Sequence, residues 1–217
     1  MEETDVEKRP RTASKDVRRR QLIDATITSI SKHGISGTTM ASVTRLADLS
    51  LGLVNFHFKS KDSLLEETLK FLAEEHREKW STSVSRKDLT PQAKLLAIVE
   101  AQFHPKICSR KKLSVWFAFF GEASYRKSYR TITSQIDLER LQTTRALCQQ
   151  LIDDGNYDEI DPHEAADTLE GLFDGFWLNM LMYPDRFSRL DALTQMQTYL
   201  KTTFPRHFGP HAKDGKI

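Results

Sequence analysis

Apolar residues recur at intervals of three and four along nearly all of the 217-residue chain, and that period commits it to helices rather than sheet. From Val17 to His33, the residues Leu22, Ile23, Ala25, Thr26, Ile27 and Ile30 form one stripe, and Gly34 stands where a C-terminal cap belongs. Thr38 and Thr39 offer an N-cap to a short helix over residues 40–47, whose inward face is Met40, Val43 and Ala47. Longer amphipathic segments follow. One starts at Lys61 or Asp62 and runs through Leu64, Leu65, Leu69, Phe71 and Leu72 towards Trp80; others cover about 91–103, 111–124, 128–154, 162–182 and 190–203. Pro91 and Pro162 suit first helical turns, and Gly155-Asn156 ends the longest segment. Residues 81–90 read as a polar linker and residues 205–217 as a flexible tail. The expected fold class is all-α.

One stretch departs from this period. Between Leu53 and Phe58, Val54, Phe56 and Phe58 alternate with Asn55 and His57, which is strand spacing. A lone strand has nothing to pair with, and Ser50 is a good N-cap. A helix from Leu51 to Phe56 or His57 turns Leu51, Val54 and Phe58 towards a core and leaves Gly52, Asn55 and Lys59 elsewhere. The window is short enough for either period, and the helical context decides for the helix. Two short helices joined by a tight turn behind a longer one make a helix-turn-helix unit, whose second helix is of a size to enter the DNA major groove.

The charge distribution agrees. Residues 8–61 hold eleven Lys and Arg against three acids, whereas residues 62–217 hold twenty-one against twenty-three. A basic front joined to a near-neutral body points to a polyanion at the front. Thr39 and Ser50 can cap their helices and offer donors to phosphates, and Asn55 can read an adenine edge. Arg45 can reach a base or a phosphate, Gly52 allows close approach, and Leu51, His57 and Lys59 complete the candidate DNA-binding face. Lys8 to Arg20 reads either as an arm for the minor groove or as a solvated tail.

Other function classes are disfavoured. The longest apolar run, Val115 to Phe120, is far short of the ~20 residues of a spanning helix, so no membrane partner is expected. The first sixteen residues carry no apolar segment of the kind a secretory signal needs, and Cys108 and Cys148 form no CxxC pair. These features predict a reduced, cytoplasmic setting. GxSxG, GxGxxG and Walker sequences are missing; His207 and His211 are four apart, but Pro210 interrupts any regular helix between them. Neither an enzyme nor a cofactor or metal site is expected.

The front end also resembles a known family. Thr38-Thr39-Met40, Val43, Ala47-Asp48-Leu49-Ser50, Gly52, Phe56-His57-Phe58-Lys59-Ser60-Lys61-Asp62 and Leu64-Leu65 resemble the DNA-binding domain of TetR-family regulators over roughly residues 17–70. The resemblance implies a homodimer whose recognition helices enter successive major grooves of a palindromic, double-stranded operator, with Lys61 as a phosphate clamp. It also implies a basic N-terminal arm over residues 1–16, a helix-turn-helix domain over 17–62, a helical ligand-binding and dimerisation domain over 63–204, and the tail. Asp48 departs from the glycine usual in the turn, and Asn55 and His57 stand where tyrosine is common in the family. Whether Asn55 and His57 meet bases or phosphates stays open.

Two segments of the body extend the resemblance. At about 100° per residue, Gly171, Gly175 and Leu178 share one helix face, suited to close approach in a dimer's four-helix bundle, and Phe173, Trp177 and Met180 share the opposite one. Trp116, Phe119, Phe120 and Ala123 form a second stripe. With Arg18 to Thr26 and Leu64 to Thr68, these segments resemble the BetI branch, choline-responsive repressors of glycine betaine synthesis. That implies a small-molecule effector such as choline or another quaternary ammonium compound. Trp116, Phe119, Phe120 and Trp177 would hold it by cation–π contacts of ~0.5–2 kcal/mol each, with Asp174 supplying negative charge. Taken alone, the same aromatic stripes read as core. A TetR-family regulator of an unrelated hydrophobic or cationic ligand, and an all-helical adaptor for an acidic protein, are the rival readings.

Overall fold

The computed structural model describes residues 14–210, and all regular structure among them is helical. The N-terminal arm falls largely outside the described residues, as do His211 and the end of the expected tail. The chain divides into two compact units, with the boundary after Thr68. Leu64, Leu65 and Thr68 are all buried, so the head needs the first turns of the following helix to close its core.

In the first unit, α1 (Lys15–Gly37) packs on α2 (Met40–Ala47), and α2 on α3 (Leu51–His57). Helix α1 turns at Gly34, whose φ of 68° lies in the left-handed region that glycine enters without a side-chain penalty. Thr39 accepts from the Ser42 amide at 3.0 Å, and the Ser42 hydroxyl accepts from the Thr39 amide at 2.9 Å, a reciprocal cap that starts α2. Asp48 ends α2 with φ 52°, ψ 47°, and thus fills the left-handed position where glycine is usual. Gln21 donates to the Ala47 carbonyl at 2.6 Å, and Ser50 caps α3 through the Leu53 amide at 3.3 Å. Val54 and Phe58 are both buried, as are Leu22, Ile23, Val43, Leu64 and Leu65, and together they form the core of this unit.

Helix α4 (Lys61–Val84) is continuous and runs into the segment expected as linker. The second unit holds the rest of α4 with α5 (Pro91–Gln102), α6 (Arg110–Ala123), α7 (Lys127–Gly155), α8 (Pro162–Met182), α9 (Arg189–Thr203) and α10 (Pro205–Phe208). Here α7 packs on α5, α6 and α8, and α8 packs also on α6 and α9. Thr90, Ser109, Asp161 and Ser188 cap α5, α6, α8 and α9, with Pro91 and Pro162 in first turns. The tail expected from residue 205 begins instead with the single turn of α10. Phe204 is buried beneath it, and His207 is held by Tyr157 Oη at 3.1 Å from Nδ1 and by Asp154 at 3.0 Å from Nε2. Among the described residues no helix is long and apolar enough to cross a membrane.

Candidate functional site

The first candidate site is the outer face of the helix-turn-helix. Leu51, Gly52, Asn55 and Phe56 of α3 are exposed, Leu53 and His57 are half-buried, and Val54 faces inward. Leu51, read both as turned towards a core and as part of the DNA-binding face, is 50% exposed. Three residues before Val54, it sits about 60° off the centre of the buried side, on the flank of the first turn. A Cβ placed on Gly52 would meet only the Ser50 hydroxyl, at 4.0 Å, so nothing in the head itself requires glycine there. Arg45, Lys59 and Thr39 are exposed beside this face. The Lys61 ammonium donates to the Ser36 carbonyl at 3.4 Å, which ties the start of α4 to the last turn of α1.

Two aromatic side chains complete this face. Phe56 is 70% exposed, with the Lys15 ammonium 5.7 Å from its ring centroid, and the period-two reading of the sequence gave no sign of it. His57 packs edge-on to Phe56 at 5.3 Å. Burial, then the neighbouring Lys15 and Arg19, hold its pKa below the usual histidine range against the opposing pull of Asp16. Its buried Nδ1 has no hydrogen-bond partner.

The second candidate site is a cavity of about 590 Å³ in the second unit, lined from α4, α5, α6, α7 and α8. Trp116 and Trp177 flank it with ring centroids 6.1 Å apart, Phe120 lies 5.8 Å from Trp116, and Phe173 adds a further aromatic wall. The Trp177 indole donates to the Gln102 carbonyl at 3.0 Å, so its orientation is fixed. Of the expected ligand residues, Trp116, Phe120, Asp174 and Trp177 meet here. Phe119 does not line the cavity: it is buried edge-on against Tyr129 at 5.1 Å, on the flank of α6 that faces α7.

The cavity wall is also charged. Arg140 is 6% exposed, with its Nε 3.1 Å from each Glu170 oxygen and its Nη1 3.2 Å from Asp137. Burial alone would lower the Arg140 pKa, but Glu170, Asp137 and Asp174 outweigh it and raise the value. Desolvation pushes the Asp174 and Asp137 carboxyl groups up, Arg140 opposes this, and the neighbouring carboxylates add to it. Three carboxylates thus share the wall with Arg140 and Arg130.

His76 and Gln102 line the same cavity and were not expected there. The His76 ring lies 5.6 Å from Trp177 and 6.4 Å from Trp116. Burial, with a smaller contribution from Arg140, lowers its pKa to about 3 against the opposing pull of the neighbouring Gln102 side chain, so the ring is neutral at neutral pH. On α8, Gly171, Gly175 and Leu178 are exposed together with Met182, and a Cβ on either glycine would meet nothing within 4 Å.

Residues 22–68 match the family described as bacterial regulatory proteins, tetR family, and residues 91–205 match the one described as BetI-type transcriptional repressor, C-terminal. The chain belongs to the TetR family of transcriptional regulators. The HTH-type transcriptional regulator BetI of Paraburkholderia phymatum is 32% identical over 194 residues, 88% of this chain and 95% of that relative. A putative transcriptional regulator from Pseudomonas aeruginosa PAO1 shares the fold with a TM-score of 0.77 at 22% identity, over 90% of this chain and 94% of that one. A putative regulator from Saccharomonospora viridis, solved in complex with choline, gives a TM-score of 0.76 at 18% identity, over 86% of this chain and 96% of that one. As a TetR-family member the chain is a DNA-binding transcriptional regulator, and the match to the family's N-terminal domain falls in the first unit.

Proposed function

We propose that this regulator is a homodimeric repressor of the BetI type, released from a palindromic operator by an organic cation such as choline. The observation that carries the reading is the cavity of the second unit, where Trp116, Trp177, Phe120 and Phe173 provide π faces and Asp137, Glu170 and Asp174 outnumber the two arginines. A desolvated cation over several aromatic faces gains ~2 kcal/mol or more per good contact, and the surplus carboxylate adds attraction. The likeness to BetI and the choline-bound neighbour support the same chemistry. The exposed stripe of Gly171, Gly175, Leu178 and Met182 supports dimer formation through α8, since small residues four apart let two helices approach closely.

Coupling follows from one element. Helix α4 carries Ala73 and His76 into the cavity and begins at Lys61 on the DNA side, so a ligand that displaces its middle acts on its start. The ligand must prefer the conformation in which the two heads no longer match successive major grooves. Isothermal titration of the intact protein with choline tests the assignment. Binding is expected, weakened several-fold by Asp174→Asn and by Phe120→Leu, both of which alter exposed side chains. A folded protein that gives no heat with choline or any other quaternary ammonium compound would refute the cation reading and leave the DNA-binding one intact.

A further inference from the structure

Two uncharged polar atoms on residues that line the cavity are left without a partner by the protein itself. His76 Nε2 and Gln102 Nε2 have no hydrogen-bond partner, although His76 is 5% exposed and Gln102 1%. A buried donor or acceptor without a partner costs about 1–3 kcal/mol, so such a pair inside a ligand cavity asks to be completed by the ligand. We propose that His76 and Gln102 hold a hydroxyl oxygen of the effector and thereby decide which organic cation the regulator answers to. The inference rests on the organic-cation reading above and specifies the other end of that ligand.

The donor inventory selects the group. The Gln102 amide nitrogen only donates, so the ligand must present an acceptor. A neutral imidazole has one N–H and one bare nitrogen; with the proton assigned to Nδ1, the bare Nε2 calls for a donor. A hydroxyl oxygen accepts from Gln102 and donates to His76 through one atom, whereas an alkyl group answers neither. A carboxylate would accept from Gln102 but has no proton for the ring nitrogen, and it would enter a wall that already carries Asp137, Glu170 and Asp174. The site therefore favours a cationic alcohol over a purely alkylated ammonium ion or a betaine. Trp116 and Trp177 lie within 6.4 Å and 5.6 Å of the His76 ring, so one small molecule reaches the aromatic walls and the polar pair together.

The test compares choline with propyltrimethylammonium, which has the same charge and nearly the same shape but a methyl group in place of the hydroxyl, and with glycine betaine. Isothermal titration of the intact wild-type protein should show choline binding at least ~10-fold more tightly than the other two, since loss of a hydrogen bond into a site built for it leaves buried groups unpaired. In Gln102→Met, which keeps the volume and removes the donor, choline should weaken ~10-fold while propyltrimethylammonium is unchanged. Equal affinities of the wild type for choline and propyltrimethylammonium overturn the inference without touching the cation reading, and need no variant to fold. Equal losses for both ligands in a folded Gln102→Met also overturn it. Silence from all three ligands overturns the cation reading itself, and this inference with it.

Discussion

The buried, neutral His76 makes the second unit sensitive to acid, and the size of the effect follows from its surroundings. Unfolding returns the ring to an ordinary pKa of 6.5, whereas the folded protein holds it near 3. Because the folded value is depressed, the stabilisation is fully present above pH 6.5 and is lost as pH falls, since only the unfolded chain takes up the proton. Between pH 7.5 and pH 5.0 that uptake costs about 2 kcal/mol of stability, or ~4–8 °C in thermal midpoint for a chain of this size. Trp80, Trp116 and Trp177 all lie in the second unit, so their fluorescence reports its unfolding. The same pH series on His76→Gln removes only this titration, and the wild-type-minus-variant stability should fall by about 2 kcal/mol on acidification. A difference that stays flat across the range would show that His76 takes up its proton equally in both states, and the account of the cavity would fail.

Three changes test the head. Phe56→Ala should weaken operator binding, because an apolar side chain 70% exposed on the reading helix adds little to stability and is free to meet a thymine methyl group; unchanged DNA affinity in anisotropy titrations would remove it from the interface. Lys61→Ala should weaken binding to all sequences alike and lower the slope of log affinity against log salt by about 1, and an unaltered slope would mean that Lys61 serves only its bond to Ser36. At Asp48, with φ 52°, glycine should be neutral or stabilising by up to ~1 kcal/mol and valine should cost ~1–2 kcal/mol, read from urea unfolding.

The parts of this structure that were legible in the sequence are those fixed locally. Thr39 and Ser50 cap helices because a side-chain oxygen reaches the amide three residues on, which needs no knowledge of the rest of the fold. Gly34 and Asp48 mark left-handed positions for the same reason. What failed depends on elements distant in the chain. Leu51 and Phe119 sit on helix flanks, and whether a flank faces core, cavity or water is set by the helix that packs there. His76 lies in a run of charged residues that reads as a solvent face, and only the approach of α6 and α8 makes it a cavity wall. The turn of α10 is too short to show any period and is held by contacts to Tyr157 and Asp154, about fifty residues earlier, as an order-of-magnitude chain separation.

The proposed function joins a DNA-reading head to an organic-cation site in the second unit. Fluorescence anisotropy of labelled DNA from upstream of the genes it controls, titrated with the intact regulator and then with choline, measures both halves at once. The account predicts a salt-sensitive complex that choline dissolves over the same concentration range in which calorimetry shows it binding the free protein. A complex that persists at full saturation with choline would contradict it.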